Sequence, residues 1–96
     1  MRRLKFRTAA SADMRRLERE TRAAWGDAQA AKYSAELRDA IKSLREYPLR
    51  FPEFELRPGL RRMISGRHAV FYLVLDDRIE IVRVLHRRMD FEARLR

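Results

Sequence analysis

Beyond its first few residues, the spacing of apolar residues in this 96-residue chain changes period once, and all three prolines sit at the change. Up to Leu44 the apolar positions recur every three or four residues, the spacing of one buried helix face. Met14, Leu17, Thr21, Ala24 and Trp25 predict a first helix over residues 11–25. Ala30, Tyr33, Leu37, Ala40, Ile41 and Leu44 predict a second that closes near Glu46. Between them, Gly26 suits the residue after a helix end and Asp27 an N-cap, so the helices form a hairpin with almost no connection. From Arg61 the pattern is that of strands. Arg61 to Ser65, His68 to Leu75 and Ile79 to Leu85 are β-branched or aromatic runs, parted by Gly66-Arg67 and Asp76-Asp77. Those pairs are turn residues at hairpin spacing. The last two runs are apolar on both alternating faces, as central strands are.

The remaining segments fill in the order. Leu4 and Phe6 alternate with Arg3, Lys5 and Arg7, a half-buried strand. Ser11 is placed to cap the first helix, with Asp13 in its first turn. Pro48 to Gly59 carries Phe51 and Phe54 and reads as a constrained loop whose aromatics need a surface to pack on. Met89 to Arg96 predict a short terminal helix. The fold class is α+β: an N-terminal strand, a helical hairpin and a three-stranded antiparallel meander, with the helices on one face of the sheet. A chain of this length buries about 60–70% of its unfolded surface, enough for one domain over residues 1–96 and no second.

Charge narrows the partners. Lys and Arg number 23 against 14 Asp and Glu, a net +9. Residues 1–26 hold eight basic and three acidic side chains, residues 27–60 six of each, and residues 61–96 nine and five. Two basic ends around a neutral middle make one positive surface where the termini meet, and such a surface suits an anionic partner. Arginine supplies 20 of the 23 cations, a bias that genome composition also produces. With no cysteine there is no disulfide framework, thiolate nucleophile or cysteine-held metal. No apolar run approaches the ~20 residues of a membrane span, and none follows the basic start. The expectation is a cytoplasmic protein with no membrane partner and no cofactor.

Few residues advertise chemistry. His86 leaves a strand before Arg87, Arg88 and Asp90, where it suits a hydrogen bond to a neighbouring loop first, and a general base or phosphate contact second. His68 starts the preceding strand and can approach it, but two histidines without a third ligand hold a metal poorly. Arg83 falls in an inward slot among Ile79, Ile81 and Leu85, where a charge needs a partner. It is either a guanidinium aimed at a phosphate or carboxylate, or half of an internal pair with Asp90 or Glu80. Arg61-Arg62 and Arg87-Arg88 flank the sheet as a basic patch without stacking aromatics between them. Phe71-Tyr72 reads as core, and Trp25 as a packing anchor. No phosphate loop, dinucleotide turn, paired carboxylates or Ser/His/Asp grouping is present.

The order of short motifs is itself distinctive. Gly59-Leu60-Arg61-Arg62 leads to His68-Ala69-Val70-Phe71-Tyr72, then to Ile79-Glu80-Ile81-Val82-Arg83-Val84-Leu85-His86 followed by Arg87, Arg88 and Asp90. With a short first strand, Trp25-Gly26 at the hairpin and a proline-bearing loop, this resembles the ParE branch of the RelE/ParE toxin superfamily over nearly the whole chain. The resemblance implies the toxin of a bacterial type II toxin–antitoxin pair, partnered in a hetero-oligomer by a small ParD-like antitoxin that alone touches DNA. The ParE branch is associated with inhibition of DNA gyrase, the RelE branch with mRNA cleavage, and the shared fold does not choose between them. Relative to the nuclease branch, the chain has its last tyrosine at Tyr72, inside a strand, and no lysine after Lys42. His86, Arg83 and Asp90 are then the only candidates for a nuclease set. For the ParE reading, the target-binding surface is expected at Arg61, Arg83, His86, Arg87, Arg88 and Phe91, on a mobile basic tail. The antitoxin is expected at Trp25, Tyr33, Leu37, Phe51 and Phe54. A non-toxic, partner-binding relative is the third reading.

Overall fold

In the computed structural model, which describes residues 2–95, strand β1 (Arg3–Phe6) runs straight into helix α1 (Thr8–Trp25). The last sheet bond, Arg7 N–H to the Ile81 carbonyl at 2.9 Å, already sets the helix entry. Arg7 therefore takes the cap position, with no side-chain cap bond. This corrects the sequence reading: the helix starts at Thr8, Ser11 lies inside it, and Asp13 falls on its buried face. Gly26, at φ +87°, closes α1 by donating to the Arg22 carbonyl and opens α2 (Asp27–Ser43) by accepting from Ala30 N–H. Asp27 is thus the first helical residue rather than the cap.

Strands β2 (Arg61–Ser65), β3 (His68–Val74) and β4 (Arg78–His86) form the expected meander. The sheet order is β1-β4-β3-β2, with β1 parallel to β4 and the other pairs antiparallel. The β2–β3 turn is two residues long, and Gly66 at φ +57° has the left-handed backbone that a type II′ hairpin needs at its first central position. A β-carbon there would lie 2.8 Å from Tyr33 Cε1, so the close approach of α2 also requires glycine.

One face of the sheet carries the hairpin: Met14, Leu17, Leu37, Ile41 and Leu44 pack on Met63, Val70, Tyr72, Ile79, Ile81 and Val84. The opposite face is covered as well. Phe54, Leu60 and Leu95 close over Ala69, Phe71, Val82 and Leu85, with Met89 and Phe91 at the margin. Phe71 meets Phe54 and Phe91 edge to face at 5.4 and 5.0 Å between centroids, a preferred aromatic geometry. Two covered faces explain why β3 and β4 lack polar alternation. They also correct the expected mobile tail. After β4, helix α3 (Phe91–Arg94) folds back, Leu95 is buried, and Arg57 and Arg83 donate to the Leu95 and Arg94 carbonyls at 2.7 and 3.2 Å. Arg96 lies outside the described residues. Among those residues, no helix is long and apolar enough to cross a membrane.

Candidate functional site

Arg83 is held on three sides. β1 ends at Phe6, and α1 crosses the flank of β4 beyond it, which brings Asp13 to the strand. The Asp13 carboxylate, 2% exposed, accepts from Arg83 Nε and Nη2 at 2.7 and 2.9 Å, from Arg16 Nη2 at 2.7 Å, and from Val84 N–H at 2.9 Å. The hydrogen bonds that Arg83 donates to Asp13 raise the Arg83 pKa further above its already high value. So Arg83 belongs to an internal pair, but the partner is neither Asp90 nor Glu80. Glu80 is taken by Arg7 at 2.6 Å and Arg78 at 2.9 Å, and those bonds hold its pKa below the usual carboxylate range. Asp90 caps α3, accepting from Ala93 N–H at 3.2 Å. The set His86, Arg83 and Asp90 is therefore not gathered into one site by mutual contacts. Each has its own structural bond.

A different group does converge. His68 and His86 are cross-strand partners with ring centroids 5.5 Å apart. His68 Nδ1 lies 2.6 Å from Tyr33 Oη, and Arg67 N–H donates to the same oxygen at 3.0 Å. The Arg67 guanidinium sits over both Trp25 and Tyr33, 5.1 and 5.3 Å from their ring centroids, within cation–π range. Trp25, Arg67, His68 and His86, with Leu17, Glu20, Thr21 and Ala24 of α1, line an open cleft of about 160 Å³. Burial, reinforced by His86 and Arg67, pushes the His68 pKa down to about 4. His68 is a neutral imidazole at physiological pH. His86 Nδ1 accepts from Arg88 N–H at 3.2 Å, and Arg87 and Arg88 are exposed beyond it.

The expected partner-binding residues divide. Trp25 is 58% exposed, so it is a surface residue at the hairpin tip and not the packing anchor that its position suggested. Tyr33 and Phe51 are half-buried, the first engaged with His68 and the second accepting Arg61 Nη1 at its carbonyl, 2.6 Å away. Leu37 and Phe54, 1% and 6% exposed, are core on opposite faces of the sheet and have no surface to offer a partner. Phe91 likewise turns its ring toward Phe71. The sequence reading missed Tyr47, Leu49, Leu56 and Ile64, which are large, apolar and exposed. It also missed Arg67 and Asp13. Asp13 could have been found, since it interrupts the apolar spacing of Ala10, Met14, Leu17 and Thr21 on the buried face of α1.

Comparison with known proteins agrees with this architecture. The family described as "ParE toxin of type II toxin-antitoxin system, parDE" matches residues 4–91. Toxin ParE1 of Caulobacter vibrioides is 47% identical over 72 residues, 74% of each chain. Toxin ParE of Escherichia coli is 39% identical over 88 residues, 90% of this chain and 85% of that one. Among solved structures, the chromosomal ParDE system of P. aeruginosa superposes with a TM-score of 0.78 at 20% identity, covering 90% of this chain and 96% of that one. The RelBE2 toxin–antitoxin complex of Mycobacterium tuberculosis gives 0.58 at 23% identity, over 90% and 98%. At those identities the structures speak to the fold, while the sequence matches, nearly chain-long, go further: the chain belongs to the ParE toxin family of type II toxin–antitoxin systems.

Proposed function

We propose that this chain arrests growth by binding DNA gyrase, without catalysis, and that a cognate ParD-like antitoxin holds it silent in a hetero-oligomer and alone carries the pair to DNA. The carrying observation is that the candidate nuclease residues are already committed. Cleavage of a phosphodiester needs a cation free to meet the charge that develops on phosphate. Arg83 has its donors on Asp13 and the Arg94 carbonyl, Asp90 is a helix cap, and His86 Nδ1 is occupied by Arg88 N–H. A protein-binding role draws on Trp25, Tyr47, Leu49, Leu56 and Ile64, large apolar side chains left exposed and available to a partner. The net charge of +9, with Arg61 partly exposed and Arg87 and Arg88 exposed, favours acidic partners. A ribonuclease reading keeps one observation in its favour: His68, His86 and Arg67 share a cleft.

Tight induction in cells, with DNA and protein synthesis followed by pulse labelling, separates the readings. The gyrase reading expects DNA synthesis to fail first, with filamentation, and growth to return when the antitoxin gene is co-expressed. Codon-phased mRNA cuts that disappear in His86→Ala would put the ribonuclease reading first. Normal growth with full-length protein accumulating would remove toxicity altogether.

A further inference from the structure

We propose that the cleft between the C-terminal end of α1 and the β2–β3 turn receives a carboxylate side chain of an acidic peptide, gripped by the Arg67 guanidinium with the His86 imidazole beside it. Only the owner of that peptide, the antitoxin, rests on the function proposed above. The first argument is orientation. Arg67 is fixed at its backbone, where N–H donates to Tyr33 Oη and the carbonyl accepts from Arg87 N–H at 2.9 Å. Its guanidinium lies over two aromatic rings, yet among the described residues none of its side-chain N–H groups has a protein acceptor. A stacked guanidinium loses little freedom on binding, and its planar fork matches a carboxylate edge.

The second argument is the placement of protons. Tyr33 Oη accepts from Arg67 N–H at 3.0 Å and lies 2.6 Å from His68 Nδ1, which ties the turn, α2 and β3 together beneath the cleft. Arg88 N–H donates to Nδ1 of His86 at 3.2 Å. A neutral imidazole that accepts at Nδ1 carries its hydrogen on Nε2. His86 is therefore a donor at Nε2, which suits an oxygen anion and not a metal cation. The third argument sets the charge of the ligand. Glu20 stands on the cleft wall without an ion pair among the described residues, and the last carbonyls of α1 are close by. The one arginine of the lining, Arg67, matches a single negative charge, and the second charge of a dianion would meet the opposition of Glu20 with no further guanidinium to offset it. A carboxylate meets the donors with less of that opposition than a phosphate monoester does.

Trp25 is the sole tryptophan and lines the cleft, so its fluorescence reports occupancy directly. The full chain is titrated with acetyl-Ala-Glu-Ala-amide, with its glutamine counterpart, and with a short single-stranded RNA, while Arg67 and His86 side-chain signals are followed by NMR. Saturable binding of the glutamate peptide is expected, with the glutamine peptide and the variant Arg67→Lys each weaker by about fivefold or more. Glu20→Gln should tighten binding about two- to threefold, and Arg15→Gln, on an exposed part of α1, should change it less than that. If Arg67→Lys does not fold by circular dichroism, His86→Asn carries the same expectation. Equal binding of the two peptides, an unaffected Arg67→Lys, or RNA displacing the glutamate peptide at equal concentration would each overturn the assignment. A chain that arrests growth yet ignores the glutamate peptide overturns this site alone and leaves the toxin reading standing.

Discussion

Replacing Asp13 by alanine removes four hydrogen bonds from a carboxylate that is 2% exposed, and leaves Arg83 and Val84 N–H without their partner. Breaking a buried ion pair from one side costs about 3–5 kcal/mol, because the surviving charge stays desolvated. Arg83 is 21% exposed at its side chain and Arg16 is 42% exposed, so water recovers part of that. About 2–4 kcal/mol is the expected loss. For a domain of this size, stabilised by roughly 5–14 kcal/mol, such a loss lowers the melting temperature by about 10–20 °C. Guanidinium denaturation of wild type, Asp13→Ala, Arg83→Met and the double variant reads the effect as a thermodynamic cycle. The double variant should be little worse than Asp13→Ala alone, a coupling of about 2 kcal/mol. An Asp13→Ala loss below about 1 kcal/mol, or additive single losses, would refute the account of Arg83 as an internal pair.

Three further outcomes follow from named contacts. Gly66→Ala should lose about 1–3 kcal/mol by chemical denaturation, since the added methyl meets Tyr33 at 2.8 Å on a backbone at φ +57°. A loss under about 0.5 kcal/mol would show that α2 gives way there. The unfolded chain protonates His68 near its ordinary pKa of 6.5, whereas the folded one refuses the proton until about 4. Stability is therefore full above pH 6.5 and declines as pH falls toward 4, by about 1–2 kcal/mol after allowing for the open cleft. His68→Gln should flatten that slope between pH 4 and 6.5, and an unchanged slope would locate the titration elsewhere. Deleting residues 91–96 should uncover Phe71 and Phe54 and lower the melting temperature by about 10 °C or more. A tail-less chain that melts like wild type would restore the picture of a detached basic end.

Element order was readable because periodicity carries it. The switch from helical to strand spacing across Pro48 to Gly59 located all three meander strands within a residue or two. What escaped depends on chain segments far apart in sequence. Arg83 was recognised as needing a partner, but Asp13 lies 70 positions away and becomes its neighbour only because α1 crosses the flank of β4. The cleft is similar: His68 and His86 were visible as a pair, while Arg67 gained its orientation from Trp25 and Tyr33 on the two helices. Leu37 and Phe54 read as partner contacts because an apolar residue on a helix or loop looks the same in sequence whether it faces a core or a partner. The packing reading of Trp25 and the free-end reading of the tail failed in opposite directions, one residue being exposed and the other segment packed. Hydrophobicity gives the amount of surface to be covered, and only the tertiary arrangement says what covers it.

Purified DNA gyrase offers the most direct measurement of the central claim. Supercoiling of relaxed plasmid is followed with increasing amounts of the full-length chain, with and without its co-purified antitoxin, and with a ribosome-programmed mRNA in a parallel reaction. Supercoiling should fall in proportion to the chain added, recover when antitoxin is supplied first, and leave the mRNA uncut. Undiminished supercoiling at a large excess of chain that is folded by circular dichroism, together with cleavage of the mRNA, would contradict the account.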